Sequence, residues 1–323
     1  MKVFVTRRIP EEGLKLLERE CEEVEVFEHD RIPSKDEIKR GLKGKDGLLC
    51  LLTDRIDRDV ISSNPKLRAI SNYAAGYDNI DVDFATERGI VVTNTPDVLT
   101  EATAELAWAL LLAVSRRIVE GDRFTREGRF RGWSPTLLLG KELSGKTLGV
   151  IGAGRIGTAF ALKARCFGMK VLYYNRSRNE VLESKVGARK VDLESLLRES
   201  DFVSIHLPLT KETHHLIDYR KLCMMKRDAV IINTARGAII KERDLIRALK
   251  EKRIFGAGLD VYENEPEVAE ELKEMENVVL LPHIGSATLE TRTKMSLLAA
   301  ENLVKALRGE VPKYCVNPQV LKG

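Results

Sequence analysis

The chain has 323 residues, of which 43% are hydrophobic and 32% are charged, so it is long and apolar enough to form packed cores. This composition excludes a small disulfide-stapled module and a disordered chain. The 53 basic and 49 acidic residues leave a formal charge of +4 and alternate along the sequence, which argues against a nucleic-acid-binding surface.

Targeting and redox signals are few. The N-terminal residues lack the apolar core of a signal peptide, and no stretch approaches about eighteen uncharged apolar residues, so we expect a cytoplasmic protein. The five cysteines lie far apart without a C-x-x-C pair, which predicts free thiols and no metal site. Gln319 is the only glutamine, a bias typical of heat-adapted proteins.

The first hundred residues alternate short β-branched runs with helical patterns. The predicted strands are residues 2–6, 24–27, 47–52, 67–71 and 90–93, and the predicted helices are residues 11–20 and 35–42. Such alternation predicts βα units and a mainly parallel sheet. Turn residues at 94–97 then indicate a boundary.

A long apolar pattern follows this boundary. Its spacing predicts one buried helix over residues 100–120. Residues 121–144 are predicted to be irregular, and their exposed apolar groups, such as Phe130 and Trp133, indicate a subunit contact.

A second set of strands begins near Lys146. The predicted strands are residues 147–151, 170–174, 202–205, 229–232, 255–259 and 278–281. With the helical patterns between them they predict a second, complete doubly wound α/β unit, followed by a helix over residues 288–307.

The sharpest motif is a G-x-G-x-x-G sequence that follows the strand at 147–151 and opens a helix. It consists of Gly152, Ala153, Gly154, Arg155, Ile156 and Gly157. Gly152 permits the tight turn, Gly154 lets a pyrophosphate approach backbone N–H groups, and Gly157 lets the helix pack on the strand. The motif in this context predicts a dinucleotide site, although a glycine-rich turn without a ligand is the alternative.

The next strand end indicates which dinucleotide is preferred. An acidic residue usually binds the adenosine ribose there, but this chain has Asn175, Arg176, Ser177 and Arg178. Two guanidinium groups and a hydroxyl would accept a 2′-phosphate. The sequence therefore predicts NADP(H) as the preferred cofactor, with NAD(H) possible, unless both arginines are only solvated surface charges.

Three later strands are each followed by a chemically capable side chain: Arg236, Glu265 and His283. Open parallel sheets place ligands at the carboxyl ends of their strands, so these side chains should converge near the nicotinamide. An Arg that holds a carboxylate and a His that transfers a proton could handle a 2-oxo acid. Each residue taken alone could equally be a surface or structural group.

Read in order, several segments resemble the D-2-hydroxyacid dehydrogenase family over nearly the entire chain. They are residues 76–81 (GYDNID), 94–96 (NTP), 152–157, 206–210 (HLPLT), 233–237 (NTARG), 260–266 (DVYENEP) and 282–285 (PHIG). Residues 133–135 (WSP) and 286–292 (SATLETR) are most similar to the glyoxylate/hydroxypyruvate reductases of that family.

The resemblance implies two doubly wound, Rossmann-like parallel-sheet domains. Residues 1–99 and 288–323 would form a substrate-binding domain, with a dinucleotide-binding domain, residues 100–287, inserted between them. A homodimer would form through residues of about 100–145. The implied partners are a small 2-oxo or 2-hydroxy acid and a second copy of the chain, with no nucleic acid or membrane.

The resemblance also implies the roles of individual residues. Arg236, Glu265 and His283 would be the catalytic trio. The substrate would be bound by the backbone of Ala75 and Gly76 and by the side chains of Leu52, Ser286 and Trp133, the last from a partner subunit. Beyond the glycine motif and residues 175–178, the cofactor would be bound by Thr103, Leu207, Pro208, Thr213, Thr234, Ala235, Asp260 and Gly285.

The activity that the resemblance implies is the reduction of glyoxylate and hydroxypyruvate. Two alternatives remain open at this point: a dehydrogenase for another D-2-hydroxy acid, such as lactate or phosphoglycerate, and a dinucleotide-sensing binding protein similar to the corepressor relatives of the family. The sequence has no basic or low-complexity recruiting segment, which disfavours the second alternative.

Overall fold

The computed structural model describes residues 1–322. The strands are β1 (Lys2–Val5), β2 (Glu23–Val26), β3 (Gly47–Leu51), β4 (Ala69–Tyr73), β5 (Val91–Thr93), β6 (Thr147–Ile151), β7 (Lys170–Tyr174), β8 (Arg189–Lys190), β9 (Phe202–Ile205), β10 (Val230–Asn233), β11 (Gly256–Leu259) and β12 (Val278–Leu280). The α-helices are α1 (Glu11–Glu20), α2 (Lys35–Leu42), α3 (Arg58–Ser62), α4 (Val82–Glu87), α5 (Thr100–Ser115), α6 (Ile118–Arg126), α7 (Arg155–Lys163), α8 (Glu180–Val186), α9 (Leu193–Glu199), α10 (Tyr219–Leu222), α11 (Glu242–Lys250), α12 (Glu270–Lys273) and α13 (Leu289–Leu307). Within residues 1–322, none of these helices combines the length and apolarity needed to cross a membrane.

The first compact unit is built from both ends of the chain: Met1–Leu99 together with the described residues from Ser286 onward. Its five strands are parallel, in the order β2-β1-β3-β4-β5. Successive strand residues point to opposite faces, so Leu48 and Ile70 contribute to a buried core with the side chains of α2, such as Ile38. Both faces of a parallel sheet are normally covered in this way.

Helix α13 belongs to this first unit although it lies far away in sequence. The Thr288 side chain accepts a hydrogen bond from the Thr291 N–H at 3.1 Å and so begins the helix. Ser71 of β4 donates to the Ala299 carbonyl of α13 at 2.8 Å. The predicted closing helix is therefore packed on the sheet of the first unit.

The second compact unit is Thr100–Gly285, inserted in the sequence of the first. Its seven parallel strands have the order β12-β11-β10-β9-β6-β7-β8, so the direction of winding reverses beside β6. Helix α5 packs against this sheet through buried residues such as Leu110 and Val114. The predicted fold class, two doubly wound parallel α/β units, is confirmed.

The structure corrects the prediction of one helix over residues 100–120. Helix α5 ends at Ser115, and Arg117 adopts a left-handed conformation with φ of 52°, after which α6 begins. The Ser115 carbonyl accepts a hydrogen bond from the Lys141 N–H at 2.8 Å, so a returning segment takes the place of the next turn of helix. The predicted irregular segment is accordingly helical as far as Arg126.

Candidate active site

The glycine motif forms a tight cradle between β6 and α7. Gly152 has φ of +96°, which side-chain-bearing residues rarely adopt. A Cβ on Gly157 would lie 1.9 Å from the Gly152 carbonyl oxygen, so only glycine allows this approach of helix and strand. Gly154 begins α7 without a side-chain cap, and Arg155 and Ile156 form its first turn. The uncapped N–H groups and the helix dipole favour an anionic ligand.

The residues predicted to continue the cofactor site follow β9 and β10. The Leu207 side chain lies beside Gly152, since its Cδ2 is 2.9 Å from the position a Cβ there would take. Thr213 donates from its hydroxyl to the Pro208 carbonyl at 2.7 Å, which closes this loop. The Ala235 N–H donates to Asn233 Oδ1 at 3.0 Å, which fixes the turn that ends β10.

Asp260 lies at the end of β11 and is fully buried. Its Oδ1 accepts a hydrogen bond from the Ile284 N–H at 2.7 Å, whereas Oδ2 has no partner among residues 1–322. Burial raises the pKa of this carboxyl group. A Cβ on Gly285 would lie 3.2 Å from Asp260 Oδ2 and 3.4 Å from the Thr103 side chain, so the structure brings these three predicted residues together.

Unsatisfied buried atoms test whether a dinucleotide fits this edge of the sheet. Besides Asp260 Oδ2, the buried Thr234 Oγ1 has no partner within the described part of the chain. Buried polar atoms are normally hydrogen-bonded, so these two atoms are available to a polar ligand. The amide of a nicotinamide and the phosphates over Gly154 would satisfy such groups, so the residues present fit the cofactor.

The predicted catalytic acid and its carboxylate are in direct contact. His283 Nδ1 lies 2.8 Å from Glu265 Oε2, and the Tyr262 N–H donates to Glu265 Oε1 at 3.0 Å. Burial is the largest influence on Glu265 and acts to raise its pKa. The hydrogen bond and charge of His283, the Tyr262 N–H and the charge of Arg236 together outweigh burial, so the pKa is lowered. Glu265 is therefore a carboxylate at neutral pH, and with Nδ1 engaged, Nε2 is the imidazole nitrogen available to a ligand.

The backbone at His283 is held in a rare conformation. Its φ of 54° lies in the left-handed region, where residues with a side chain are uncommon. Such strain persists only where the surrounding structure enforces it, and it concentrates at functional sites. The hydrogen bonds from Ile284 to Asp260 and from His283 to Glu265 hold the two sides of this turn.

Arg236 lies on the neighbouring strand end. Its charge helps to lower the pKa of Glu265. This effect is smaller than those of His283 and the Tyr262 N–H, which also lower the pKa, and than that of burial, which raises it. The next residue, Gly237, packs against the backbone of the β11 loop, since a Cβ there would lie 1.8 Å from the Tyr262 carbonyl carbon. Arg236 Nη1 donates to the Ala235 carbonyl at 2.8 Å. The structure therefore places Arg236 at the strand end beside the loop of Glu265, where its charge acts on the carboxylate that contacts His283.

A cavity of about 790 Å³ lies at the ends of β7 and β8. Asn175, Arg176 and Arg178 line this cavity. The carbonyl oxygen of Ser177 accepts a hydrogen bond from Asn175 Nδ2 at 3.1 Å. Arg178 forms an ion pair with Glu183, which also lines the cavity. A phosphate bound by Arg178 would therefore share this guanidinium group with the Glu183 carboxylate.

Two cations of this cavity, Arg189 and Lys190, were not identified from the sequence. Lys190 Nζ donates to the Arg176 carbonyl at 2.9 Å, so it lies beside the predicted phosphate-binding turn. Both residues belong to the two-residue strand β8, which is too short for a periodic pattern. Consecutive basic residues after Gly187 and Ala188 are the only signal in the sequence.

Comparison with known proteins gives the family. Residues 108–285 match the family described as D-isomer specific 2-hydroxyacid dehydrogenase, NAD binding domain. The chain is 52% identical over 324 residues to a glyoxylate reductase from Thermococcus litoralis, covering 99% of this chain and 98% of that protein. The chain belongs to the D-2-hydroxyacid dehydrogenase family. The resemblance found in the sequence is confirmed. The family, together with the glycine motif between β6 and α7, supports a nicotinamide cofactor.

Solved structures of similar proteins agree with this family fold. A protein from Thermus thermophilus superimposes with a TM-score of 0.92 at 45% identity, covering 98% of this chain and 100% of that one. An NADPH-dependent glyoxylate/hydroxypyruvate reductase from Sinorhizobium meliloti, in complex with NADP and malonate, superimposes with a TM-score of 0.87 at 32% identity, covering 98% and 96%.

The residues that the D-2-hydroxyacid dehydrogenase resemblance assigns to substrate binding fall largely in the first unit. Leu52 follows β3, and Ala75 and Gly76 follow the neighbouring β4. Asn94 Nδ2 donates to the Ala75 carbonyl and Asn72 Nδ2 to the Gly76 carbonyl, both at 2.7 Å. Both hydrogen bonds are accepted by carbonyl oxygens. They hold the segment without using the N–H groups of Ala75 and Gly76, which the resemblance assigns to the substrate carboxylate.

The two remaining predicted substrate residues differ in their surroundings. Ser286 belongs to the first unit, and its carbonyl accepts from the Thr288 N–H at 2.9 Å, next to the start of α13. Trp133 follows α6 in the second unit and is 86% exposed. An indole this exposed contributes little to the stability of its own subunit. Its predicted contact with a partner subunit stays a prediction.

Proposed function

We propose that the chain is an NADP(H)-preferring glyoxylate reductase that also reduces hydroxypyruvate. The observation that carries the proposal is the 2.8 Å contact between His283 Nδ1 and Glu265, with Arg236 on the adjoining strand end. The glyoxylate reductase from T. litoralis and the glyoxylate/hydroxypyruvate reductase from S. meliloti support this choice of substrates.

The trio supplies what reduction of a 2-oxo acid requires. When bound, the nicotinamide would supply the hydride for the 2-oxo carbon. Arg236 binds the carboxylate of the oxo acid and stabilises the negative charge that grows on the carbonyl oxygen. His283 donates its Nε2 proton to that oxygen, and the Glu265 carboxylate stabilises the protonated imidazole beforehand.

The preference for NADP(H) rests on the cavity at the ends of β7 and β8. Arg176 and Lys190 provide positive charge there, and no acidic residue follows β7 before Glu180. A 2′-phosphate carries charge that such groups favour, whereas the ribose hydroxyls of NAD(H) gain little from them. The hydroxyl of Ser177 would add a hydrogen bond to the 2′-phosphate. Arg178 would add a second guanidinium group if it exchanged its ion pair with Glu183 for one with the phosphate.

The exposed apolar segment after α6 supports a homodimer. Phe130, Trp133 and Leu139 are 58%, 86% and 62% exposed, and all lie between α6 and β6. Contiguous exposed apolar side chains are typical of interaction surfaces. In the proposed dimer Trp133 lines the substrate pocket of the partner subunit, together with Leu52, Ala75, Gly76 and Ser286 of that subunit.

Initial rates test the function directly. Glyoxylate, hydroxypyruvate, pyruvate and 3-phosphohydroxypyruvate are each assayed with NADPH and with NADH at equal concentrations. We expect the highest kcat/KM with NADPH and either of the first two acids. Faster reaction with pyruvate or with the phosphorylated acid would favour a lactate or phosphoglycerate dehydrogenase. Cofactor binding without turnover of any acid would favour a dinucleotide-sensing protein.

A further inference from the structure

The second unit contains another histidine–carboxylate pair close to the candidate trio. His215 Nε2 lies 2.6 Å from Glu263 Oε1, and their side chains are 30% and 23% exposed. Glu263 precedes Glu265 by two residues on the loop after β11. The reaction proposed above uses neither side chain.

Glu263 fastens this loop to the segment that follows Arg236. Its Oε2 accepts a hydrogen bond from the Glu242 N–H at 2.9 Å, and its own N–H donates to Glu242 Oε2 at 3.2 Å. Glu242 is the first residue of α11. Gly237 packs on the peptide between Tyr262 and Glu263, where its missing Cβ would lie 2.4 Å from the Glu263 nitrogen. Two reciprocal hydrogen bonds and one close backbone contact therefore join the two loops.

His215 reaches the pair from a third segment. Its φ of 53° is in the left-handed region, and its N–H donates to the Ala238 carbonyl at 2.7 Å. The adjoining His214 ring packs against the His215 ring, with centroids 3.9 Å apart. A strained backbone is retained only when neighbouring contacts over-determine it. The bond to Glu263 is the polar contact of the His215 side chain that provides such a constraint.

We propose that His215 and Glu263 are positioning residues that hold the Glu265 carboxylate against His283. The link is short: Tyr262, which donates its N–H to Glu265 Oε1, is bonded covalently to Glu263. If Glu263 loses its contacts, the Tyr262 N–H and the Glu265 side chain shift together. The protonated imidazole of His283 then loses part of the negative charge that stabilises it.

Several charged groups surround the two histidine–carboxylate pairs. His215, His214 and Glu242 face Glu263, and Glu271 lies near Glu242. His283, Arg236 and Asp260 face Glu265. Burial raises the pKa of Glu242. Burial also acts to raise the pKa of Glu263, but the Glu242 N–H and His215 outweigh it, and the pKa is lowered. Glu263 is therefore a carboxylate at neutral pH.

The role predicts a specific change in how His283 titrates. The five histidines of the full-length protein are labelled with ¹⁵N, the His283 signal is assigned from the variant H283N, and its titration is followed by NMR. In E263A and in H215N we expect the midpoint for His283 to move to lower pH. Asn tolerates the left-handed backbone at position 215 but is too short to reach Glu263.

Kinetics provide the second readout, which rests on the proposed function. We expect kcat for glyoxylate to fall about tenfold in both variants, the order of magnitude of a weakened general acid, with KM nearly unchanged. The matched control is H214N, which removes the neighbouring ring without touching the Glu263 hydrogen bond. E263Q, which can still accept from the Glu242 N–H, should recover most of the rate.

The outcomes separate the positioning role from a structural one and from failure of the proposed function. A wild-type His283 titration in both E263A and H215N overturns the proposal, even if their thermal unfolding midpoints fall. If the wild-type protein reduces no 2-oxo acid, the proposed function is wrong, but the NMR titration still decides whether Glu263 positions Glu265. Should E263A fail to fold, H215N gives the same test.

Discussion

The Glu265 carboxylate lies in direct contact with the candidate acid, His283. Glu265 keeps a lowered pKa despite its burial, because His283 and the Tyr262 N–H both favour its charged form. It therefore stays negative as the pH falls through the mildly acidic range. A fixed negative charge beside Nδ1 favours the protonated imidazole, which the reduction consumes.

Substitutions in the trio should affect turnover by different amounts. We expect H283N and R236Q to lower kcat for glyoxylate by about two orders of magnitude or more, since each removes a group acting on the carbonyl oxygen. E265Q should lower kcat less and move the basic limb of the kcat/KM profile to lower pH, because the imidazolium loses its counter-charge. Steady-state rates between about pH 5 and pH 9 test this.

H29N, which changes an exposed histidine of the first unit, is the control for these substitutions. Near-normal rates in purified, folded H283N would remove His283 from the proposed role. An unchanged pH profile in E265Q would separate the carboxylate from the titration of the acid.

His206 makes a prediction about stability in acid. Its ring packs on Phe160 with centroids 4.9 Å apart, its Nε2 lies 2.9 Å from Ser204 Oγ, and burial lowers its pKa from 6.5 to about 3. Between these two pH values the unfolded chain binds a proton that the folded protein does not. The free energy of unfolding contributed by this group therefore falls as pH decreases, on the order of 4 kcal/mol over the window.

The comparison is urea unfolding of wild-type protein and H206Q at about pH 7 and pH 4.5. H206Q should be less stable at pH 7 because the ring stack is lost, yet lose less of its stability on acidification. H29Q serves as the control and should follow the wild-type slope. Parallel pH slopes for wild type and H206Q would contradict the assignment.

The short strand β8 bears on which cofactor the protein prefers. It pairs with β7 and brings Lys190 to within 2.9 Å of the Arg176 carbonyl, in the wall of the cavity proposed for the 2′-phosphate. We expect K190Q and R176Q each to raise KM for NADPH about tenfold and to leave KM for NADH nearly unchanged, because only NADPH carries the extra phosphate.

Binding of 2′,5′-ADP measured by calorimetry gives the same test without turnover, with 5′-AMP as the ligand that lacks the 2′-phosphate. The matched control is R198Q, which removes a surface cation of α9 that is paired with Glu194 and does not line the cavity. If the substitutions weakened the binding of both nucleotides equally, the cavity would bind the adenosine without recognising the 2′-phosphate.

Elements with strong local patterns could be predicted, and those defined by tertiary contacts could not. The apolar runs that became β6, β9 and β10 and the turn at Gly152 identified the parallel sheet and its ligand edge. The end of α5 depends on the Lys141 N–H, which returns to the Ser115 carbonyl from 26 positions away along the chain. Strand β8 depends on pairing with β7. Neither long-range bond leaves a periodic signal.

The same distinction applies within the candidate site. The positions of Arg236, Glu265 and His283 after neighbouring strands could be predicted, because the strands themselves have strong local patterns. The partner of Arg178 and the contribution of Lys190 could not, since both depend on side chains that meet only after α8 and β8 have formed. The His215–Glu263 pair is separated by 48 positions and has no motif of its own.

The first unit needs the last residues of the chain to complete its sheet. The Val316 N–H donates to the Val92 carbonyl at 2.8 Å, and the Asn317 side chain accepts from the Val92 N–H at 2.8 Å. These bonds complete β5, the outer strand of the five-stranded sheet. The first unit therefore cannot be complete until the inserted second unit has been synthesised.

Assembly is the last property on which the proposed function depends. Phe130 and Leu139 expose most of their surface on the segment between α6 and β6, and burying each side chain would contribute about 1.5–3 kcal/mol. We expect the wild-type protein to sediment as a dimer and the double variant F130S/L139S to dissociate at micromolar concentration. V311S, which removes an even more exposed apolar side chain, one of the first unit, should remain dimeric.

Trp133 separates assembly from catalysis within the same experiment. If it lines the pocket of the partner subunit, W133A should remain largely dimeric and yet show a raised KM for glyoxylate, whereas F130S/L139S should lose activity in proportion to its dissociation. A monomeric wild-type protein with full activity would contradict both expectations, because Trp133 of one chain could then serve no pocket but its own. Sedimentation velocity and steady-state rates measured at the same protein concentrations decide between these outcomes.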